Sequence, residues 1–294
     1  MKEFITIITP TYNRKKEMIN LYKSLVNQTY NSFRWLIIDD GSTDKTEEEI
    51  QNLSNEKNFP IDYIKKENGG KHTALNVAFE NIQTEMFIVV DSDDLLTKEA
   101  IETVYKYYQK YKEEDLAGFV FLRGYSQNKS ISVEFRKDEF IGNYVKDVQN
   151  KQPSGDRAEV FYTREIRDNR FPVFENENFI GEGFFWNKIS KKKNMLFVNK
   201  IIYICNYLEG GLTKTGRKLR ISNPLGGMEH SREFLEKEYS LKLRMKNYLL
   251  YMVYYRFAKD KNIEPKRLKK PFIELICYIP SLIIYKSWKH KYVT

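Results

Sequence analysis

Three short clusters of polar and acidic residues hold the side chains in this sequence that could do chemistry together. They occupy residues 9–14 (TPTYNR), 39–42 (DDGS) and 91–94 (DSDD). In the third cluster, Asp91 and Asp93 are alternate carboxylates, which can converge on one hard divalent cation such as Mg²⁺ or Mn²⁺. A cation with so few protein ligands keeps positions open for phosphate oxygens and can neutralise a departing diphosphate. Asp-x-Asp alone is a weak signal, however, and a solvated turn before a helix is the plainer interpretation.

The first two clusters suit a nucleotide. A carboxylate at Asp39 or Asp40 can accept a hydrogen bond from a base or a ribose. Tyr12 can stack on a planar base, and Arg14 or Lys71 can meet a phosphate. Taken singly, each of these residues is more typical of an ordinary surface, so the interpretation depends on their lying at one site.

Short apolar runs come directly before the three clusters and predict the β-strands that position them. These runs are residues 3–9, 34–38 and 86–90, and further strands are predicted at 61–64 and 117–122. Stretches with helical spacing alternate with the strands, which predicts an α/β fold with a mostly parallel sheet flanked by helices. Thr97 is the predicted N-cap of one such helix. Because ligands bind beyond the carboxyl ends of parallel strands, we expect the three clusters to share one site.

Composition and motifs exclude several other classes of protein. The 294 residues are 41% hydrophobic and 30% charged, which is typical of a globular chain rather than a disordered one. Two cysteines cannot build a disulfide framework or a cysteine-rich zinc site, and the three histidines are not spaced as a pair on one helix face. Gly69-Gly70-Lys71 lacks the spacing of a P-loop, no G-x-G-x-x-G opens the first helix, and no G-x-S-x-G turn occurs.

Basic residues concentrate in the last third of the chain. Residues 191–294 hold 23 basic and 8 acidic residues, against 26 and 32 in residues 1–190, and the whole chain has a net charge of +9. A basic surface can face a membrane, a nucleic acid or a phosphorylated acceptor. The first ten residues lack the apolar run of a signal peptide, and no segment offers the roughly 20 apolar residues of a spanning helix. We therefore expect a cytoplasmic protein that can lie peripherally at the inner face of the cell membrane.

Four sequence segments together resemble the family 2 glycosyltransferases. They are TPTYNR (9–14), LIIDDGSTD (36–44), ENGGKHTALNVAF (67–79) and FIVVDSDD (87–94), in the order and spacing of that family. The resemblance covers about the first third of the chain. It implies the GT-A fold, a nucleotide-diphospho-sugar donor, a Mn²⁺ or Mg²⁺ cofactor and inversion at the anomeric carbon.

The resemblance also implies roles for the residues at matching positions. Pro10, Thr11 and Tyr12 would line the base pocket, Asp39 would bind a base that is most simply uracil, and Asp40 would lie beside it. Lys71 would lie near the base or diphosphate. Arg14 and Ser92 would be further nucleotide-sugar-binding residues. Asp91 would contact the ribose or a metal-bound water, and Asp93 would coordinate the metal.

The acceptor side needs one general base, because the metal takes the charge of the leaving group. Family members usually carry Glu-Asp or a lone acidic residue before an aromatic helix, and FIGEGFFWNKI (179–189) fits with Glu182 as the acid. The family's Asp falls on Gly183, so this sequence departs from the commoner pattern. Asp156 in SGDRAEVF (154–161) is the alternative base, and a helix N-terminal charge is the structural alternative for Glu182.

The loop at 207–217 (YLEGGLTKTGR) resembles the glycine-containing loop that follows the acceptor helix in many relatives. Its two glycines would let the chain close over donor and acceptor. Arg217, with Lys218 and Arg220, could hold the diphosphate of either substrate. A surface loop with scattered charge is the alternative.

Residues 234–258 and 271–292 read as basic, aromatic-rich amphipathic helices. Such helices can lie in a membrane interface, where anionic lipid attracts each Lys or Arg by about 1 kcal/mol. They can equally pack on the catalytic domain or form a homo-oligomer. We predict three regions: a nucleotide-sugar-binding half at 1–125, an acceptor-binding half at 126–230 and a helical region at 231–294.

Two functions of different class follow from the sequence. The first is an inverting glycosyltransferase that moves one sugar, most simply from a UDP-sugar, to a hydroxyl of a glycan or lipid-linked acceptor in surface polysaccharide biosynthesis. The second is a non-catalytic module that binds a nucleotide or nucleic acid through the basic third. No nucleic-acid partner is expected, because the sequence has no recognition motif for one.

Overall fold

One mixed β-sheet of ten strands runs through the part of the chain that the computed structural model describes, residues 3–151, 155–167, 169–205, 212–268 and 271–292. The strands are β1 (Ile5–Thr11), β2 (Phe33–Asp39), β3 (Ile61–Lys65), β4 (Met86–Val89), β5 (Leu95–Leu96), β6 (Leu116–Ser126), β7 (Lys129–Ser130), β8 (Glu139–Gly142), β9 (Arg157–Tyr162) and β10 (Asn194–Ile204). The helices are α1 (Lys15–Val26), α2 (Thr46–Asn55), α3 (Lys71–Asn81), α4 (Ala100–Tyr111), α5 (Gly183–Ser190), α6 (Leu212–Ser222), α7 (Pro224–Glu233), α8 (Leu241–Asp260) and α9 (Pro271–Tyr292).

The strands follow the order β3-β2-β1-β4-β9-β6-β10-β5 across the sheet. β1 pairs in parallel with β2 and β4, β2 with β3, and β6 with β10. β9 runs antiparallel between β4 and β6, and the short strands β5, β7 and β8 are also antiparallel to their neighbours. The predicted α/β fold, with a central sheet flanked by helices and a helical C-terminal region, is confirmed. Within the described residues four strand pairings are parallel and five are antiparallel, so the sheet is mixed.

Both faces of the sheet are buried, which is why its strands read as continuous apolar runs in the sequence. All seven residues of β1 are buried. Their side chains alternate between two cores: Ile5 and Ile7 pack with α1, α2 and α4, whereas Ile8 packs with α3 and α5. The sheet is therefore a rigid platform whose strand ends have fixed positions.

The expected N-cap at Thr97 is wrong. Leu95 and Leu96 pair with β10, and the Thr97 N–H donates to the carbonyl of Ile202 at 2.9 Å. The chain is still extended here because β10 takes its backbone hydrogen bonds, and α4 begins only at Ala100, without a side-chain cap.

The C-terminal helices pack against one another. The helix predicted at 234–258 begins later in the structure. Residues 234–240 are not helical and connect α7 to α8, which starts after Ser240, whose Oγ accepts the N–H of Leu243. Most apolar and aromatic side chains of α8 pack in cores shared with α7 and α9. Within the described ranges, no helix has the length and apolar character that crossing a bilayer requires.

Candidate active site

The three clusters predicted from the sequence meet at one edge of the sheet. The parallel register places Thr11 at the end of β1 beside Asp39 at the end of β2. The Asp40 N–H donates to the Thr11 carbonyl at 2.8 Å, and the Val90 N–H after β4 donates to the Ile8 carbonyl at 2.8 Å. The carboxyl ends of β1, β2 and β4 therefore deliver their polar residues to a common rim.

Asp39 is fully buried and both of its carboxylate oxygens are engaged. Oδ1 accepts the Ser42 N–H at 2.7 Å, and Oδ2 accepts the Tyr63 hydroxyl at 2.5 Å. Burial and the charge of Asp39 raise the pKa of Tyr63, so this hydroxyl stays a donor. The carboxylate is fixed in place and keeps lone pairs that a base or ribose can use.

Asp40 ties β2 to the start of α3. Its carboxylate accepts Lys66 Nζ at 2.6 Å, the Gly69 N–H at 2.9 Å and the Gly70 N–H at 2.7 Å. Gly70 has φ +90°, and a Cβ there would lie 1.8 Å from the carbonyl oxygen of Asn178. Asp40 thus positions the helix that begins with Lys71, while Lys66 is a partner that sequence reasoning missed.

The segment after β1 forms one wall of the rim. Pro10 and Thr11 are buried, and Tyr12 is 49% exposed with its ring available for stacking. Asn13 turns the chain with φ 52°, and its N–H donates to Ser42 Oγ at 2.8 Å. Arg14 lies close enough to Asp93 for its positive charge to act on that carboxyl.

Lys71 lies between Asp91, in the turn at residues 91–94, and Glu182. Its ammonium contacts Asp91 in a short ion pair and Glu182 Oε1 at 2.5 Å. Burial disfavours the charge of Lys71, but the two carboxylates outweigh that effect and raise its pKa. Burial likewise opposes the charge of Asp91, whereas Lys71 and Arg123 outweigh it and lower the pKa of Asp91. One cation therefore holds two carboxylates from distant parts of the sequence.

The packing of α5 on α3 explains this meeting. The run FFW in α5 is buried, and the Phe185 ring stacks on Phe79 of α3 at 4.9 Å between centroids. Glu182 precedes the first turn of α5, and its carbonyl accepts the Phe185 N–H at 2.8 Å. Its carboxylate consequently faces Lys71 at the start of α3.

Asp93 lies beyond Asp91 on the same turn, which the Asp94 N–H closes by donating to the Asp91 carbonyl at 3.0 Å. Burial and the charge of Asp91 raise the pKa of Asp93, so the two carboxylates are close enough to repel. Ser92 between them is buried. Among the residues that the structure describes, no three His, Cys, Asp or Glu side chains are grouped to hold a metal.

Three residues near the acidic turn at residues 91–94 were not predicted from the sequence. The Tyr203 hydroxyl accepts the Asp91 N–H at 3.0 Å and donates to Asp94 Oδ2 at 2.8 Å. The guanidinium of Arg123 lies 4.1 Å from the centre of the Tyr203 ring. Glu159 accepts the Tyr144 hydroxyl at 2.7 Å. Arg123 and Glu159 are charged residues inside apolar strands, and that pattern could have indicated both of them from the sequence.

Asp156 and Arg217 do not belong to the Lys71 group. Asp156 is exposed and directly precedes β9, at the same edge of the sheet as the end of β6. Arg217 stacks on Trp288 of α9, with 4.7 Å from its guanidinium carbon to the ring centre. Residues 212–217 of the predicted loop belong to α6, and Arg220 on that helix lies 5.5 Å from the Phe179 ring. The two glycines of the predicted loop, Gly210 and Gly211, lie outside the described residues.

The fold is that of the GT-A glycosyltransferases. It matches the crystal structure of S. aureus TarS 1–349 in complex with UDP-GlcNAc, with a TM-score of 0.64 and 19% sequence identity. The match covers 97% of this chain and 80% of the TarS chain. The fold also matches the mannosyltransferase PcManGT from Pyrobaculum calidifontis, in complex with GDP-Man and Mn²⁺, with a TM-score of 0.57, 15% identity and coverage of 100% and 84%.

The chain belongs to glycosyl transferase family 2, whose pattern matches residues 6–174. Among named relatives, the glycosyltransferase GlyG of Streptococcus pneumoniae is 24% identical over 251 residues, which are 82% of this chain and 81% of GlyG. TarS of Staphylococcus aureus, a poly(ribitol-phosphate) beta-N-acetylglucosaminyltransferase, is 29% identical over 113 residues. That match spans 20% of TarS, and the match to the glycosyltransferase GlyA of S. pneumoniae spans 16% of GlyA.

Proposed function

We propose that this protein moves one sugar from a nucleotide-diphospho-sugar to an acceptor hydroxyl with inversion. The observation that supports this most directly is the contact of Lys71 with both Asp91 and Glu182. Through this contact, Asp91 and Glu182 lie together at one point of the rim. Inverting transfer needs this proximity, because the base must act on the hydroxyl opposite the leaving diphosphate.

The donor is proposed to be a UDP-sugar. Asp39, held by Ser42 and Tyr63, is the acceptor for the base, and Tyr12 is the ring that stacks on it. The TarS structure with UDP-GlcNAc shares the fold and makes uracil the first base to test. Arg14, whose charge acts on the Asp93 carboxyl, is proposed to bind the diphosphate.

Asp93 and Asp91 would hold a Mn²⁺ or Mg²⁺ ion. Two neighbouring carboxylates that repel one another are oxygen ligands of the kind these cations prefer, and phosphate oxygens would complete so small a protein set. When bound, the cation neutralises the charge of the leaving diphosphate. The PcManGT structure, which contains Mn²⁺, supports the same assignment by its shared fold.

Glu182 is proposed to take the proton from the acceptor hydroxyl. The contact with Lys71 holds the Glu182 carboxylate in place at the rim. No second acid is required, since the cation stabilises the leaving group. The acceptor is proposed to be a glycan or lipid-linked glycan of a surface polysaccharide, in line with TarS, which is a poly(ribitol-phosphate) beta-N-acetylglucosaminyltransferase.

Glu182→Gln tests the assignment of the base. This variant keeps the shape of the side chain, so it should bind UDP as well as the unchanged protein and lose transfer by about 10²–10⁴-fold. Asp156→Asn is the matched control and should retain transfer. Retained transfer in Glu182→Gln with loss in Asp156→Asn would move the base to Asp156.

Asp93→Ala tests the donor site separately. We expect slow release of UDP from a UDP-sugar in the presence of Mn²⁺, and its loss in Asp93→Ala. A screen of nucleotide-sugars by thermal shift, with and without Mn²⁺, identifies the donor, because a ligand that binds only the folded protein raises Tm. Absence of any shift or hydrolysis with every nucleotide-sugar would overturn the proposal.

A further inference from the structure

α9 presents a row of apolar side chains to solvent. Phe272, Leu275, Ile276, Ile279 and Ile283 are 87%, 82%, 59%, 66% and 63% exposed. Their spacing places all five on one face of the helix, where they form a continuous stripe. We call this face the α9 stripe. Contiguous exposed apolar surface of this kind marks an interaction site.

The opposite face of α9 fixes the direction in which the stripe points. Cys277 is 3% exposed, and Ser281 is fully buried and accepts Arg256 Nη1 at 3.0 Å. The Trp288 ring lies 6.3 Å from the Tyr254 ring of α8. Because these contacts hold one face of α9 on α8, the stripe faces away from the protein.

The surroundings of the stripe are basic. Residues 261–292 hold eight Lys and Arg residues and only two acidic residues. Glu264 pairs with Lys259 and Glu274 with Arg267, and Lys289 pairs with Asp260, so six of the eight cations lie outside these ion pairs. Lys286 is exposed and continues the stripe by one further turn. Each such cation near an anionic lipid surface contributes about 1 kcal/mol to attraction.

We propose that the α9 stripe docks this protein onto an anionic lipid surface, with α9 lying in the plane of the interface. The stripe extends over twelve residues from Phe272 to Ile283, about 17 Å of helix, which suits burial along the surface and is far short of the bilayer core of about 30 Å. Apolar side chains on one face with lysines beside them are the features of interfacial helices.

A second copy of the chain is the less suitable occupant. A two-fold contact pairs the same patch with itself. Lys269 and Lys270 come before the stripe in the sequence, and Lys286 follows it. Parallel or antiparallel pairing of two stripes would therefore bring like charges together, whereas anionic lipid neutralises both ends.

Two cation–aromatic contacts connect α9 to the segment that precedes Glu182. Trp288 of α9 stacks on Arg217 of α6, and Arg220 on the same helix lies over Phe179, three residues before Glu182. The docking helix and the candidate base are thus linked through one short helix. The proposal itself concerns the surface of α9 and stands whether or not the protein transfers sugars.

Sedimentation of the full chain with vesicles tests the proposal. The unchanged protein should pellet with phosphatidylglycerol–phosphatidylcholine vesicles at low salt and stay in the supernatant with phosphatidylcholine alone. Leu275→Ser combined with Ile279→Ser should reduce binding at least tenfold, since both side chains are exposed and their loss leaves the core intact. The matched control is Val173→Ser combined with Leu241→Ser, two side chains that are each 62% exposed outside the stripe. It should bind as the unchanged protein does.

Three results would overturn the proposal. The first is retention of the unchanged protein in solution with the anionic vesicles, and the second is equal binding by the stripe variant and its control. The third is a dimer in analytical ultracentrifugation that only the stripe variant dissociates, which would assign the stripe to a second copy. Asp93→Ala should pellet normally, so a chain that binds vesicles without transferring sugar keeps this proposal and contradicts only the proposed activity.

Discussion

Tyr203 positions the acidic turn through a single hydroxyl. It is fully buried on β10, accepts the Asp91 N–H and donates to the Asp94 carboxylate. Tyr203→Phe removes both hydrogen bonds and keeps the ring on which Arg123 stacks. An unpaired buried N–H costs about 1–3 kcal/mol, so we expect a loss of that order in the free energy of unfolding by urea. We also expect UDP binding to require about tenfold more Mn²⁺, measured by titration calorimetry.

Tyr162→Phe is the matched control for this prediction. Tyr162 is 1% exposed, and its hydroxyl has no hydrogen-bond partner within the described part of the chain. The variant loses the same oxygen from the same sheet, so its Mn²⁺ requirement should not change. An equal shift in both variants would show that Tyr203 serves stability alone.

Among the helices and strands, the start of α3 is fixed by Gly70. Its φ of +90° is a left-handed conformation, and a Cβ would lie 1.8 Å from the Asn178 carbonyl oxygen. Gly70→Ala should therefore cost about 1–3 kcal/mol for the backbone conformation alone, with more for displacing residue 178. Since α3 starts with Lys71, its contacts with Asp91 and Glu182 should weaken too, and transfer should fall together with stability to urea.

Gly216→Ala provides the comparison within a helix. Gly216 lies inside α6, where alanine is favoured over glycine by roughly 0.5–1 kcal/mol. Stability should stay the same or rise in this variant. If Gly70→Ala unfolds at the same urea concentration as Gly216→Ala, the close approach of residues 70 and 178 does not constrain the fold.

The strands that carry the site were predictable from local sequence, because each is an apolar run stopped by a polar cluster. The antiparallel insertion of β9 between β4 and β6 was not predictable, since it depends on pairing between residues far apart in the chain. The N-cap predicted at Thr97 was wrong for the same reason, because β10, about 100 residues later, holds that segment extended.

Within the site, sequence patterns indicated the residues at the strand ends and left their partners open. Asp39, Asp91 and Asp93 follow apolar runs and could be chosen on that ground. The contact of Lys71 with Glu182 depends on α5 packing against α3, which only the folded chain shows. The donor-site roles, the general base, the metal and the division at residues 125 and 230 stay predictions.

At the scale of the whole molecule, the chain combines a rigid sheet with a more weakly attached helix. β1 lies in the middle of the sheet and is buried along its full length. α9 packs through one face on α8 and through Trp288 on Arg217, and its other face is open. Elements with fewer buried contacts open at lower free energy than the core of the sheet.

Native-state hydrogen exchange should therefore separate α9 from β1. We expect amides of α9 to exchange through a local opening, while amides of β1 exchange only on global unfolding. Trp288→Ala should lower protection in α9 and leave β1 unchanged, because it removes the stacking on Arg217 and the contact with Tyr254. Phe272→Ala on the same helix should change neither, since that ring is 87% exposed. Equal exchange rates in α9 and β1 would mean that both belong to one cooperative unit, with α9 bound as firmly as the sheet.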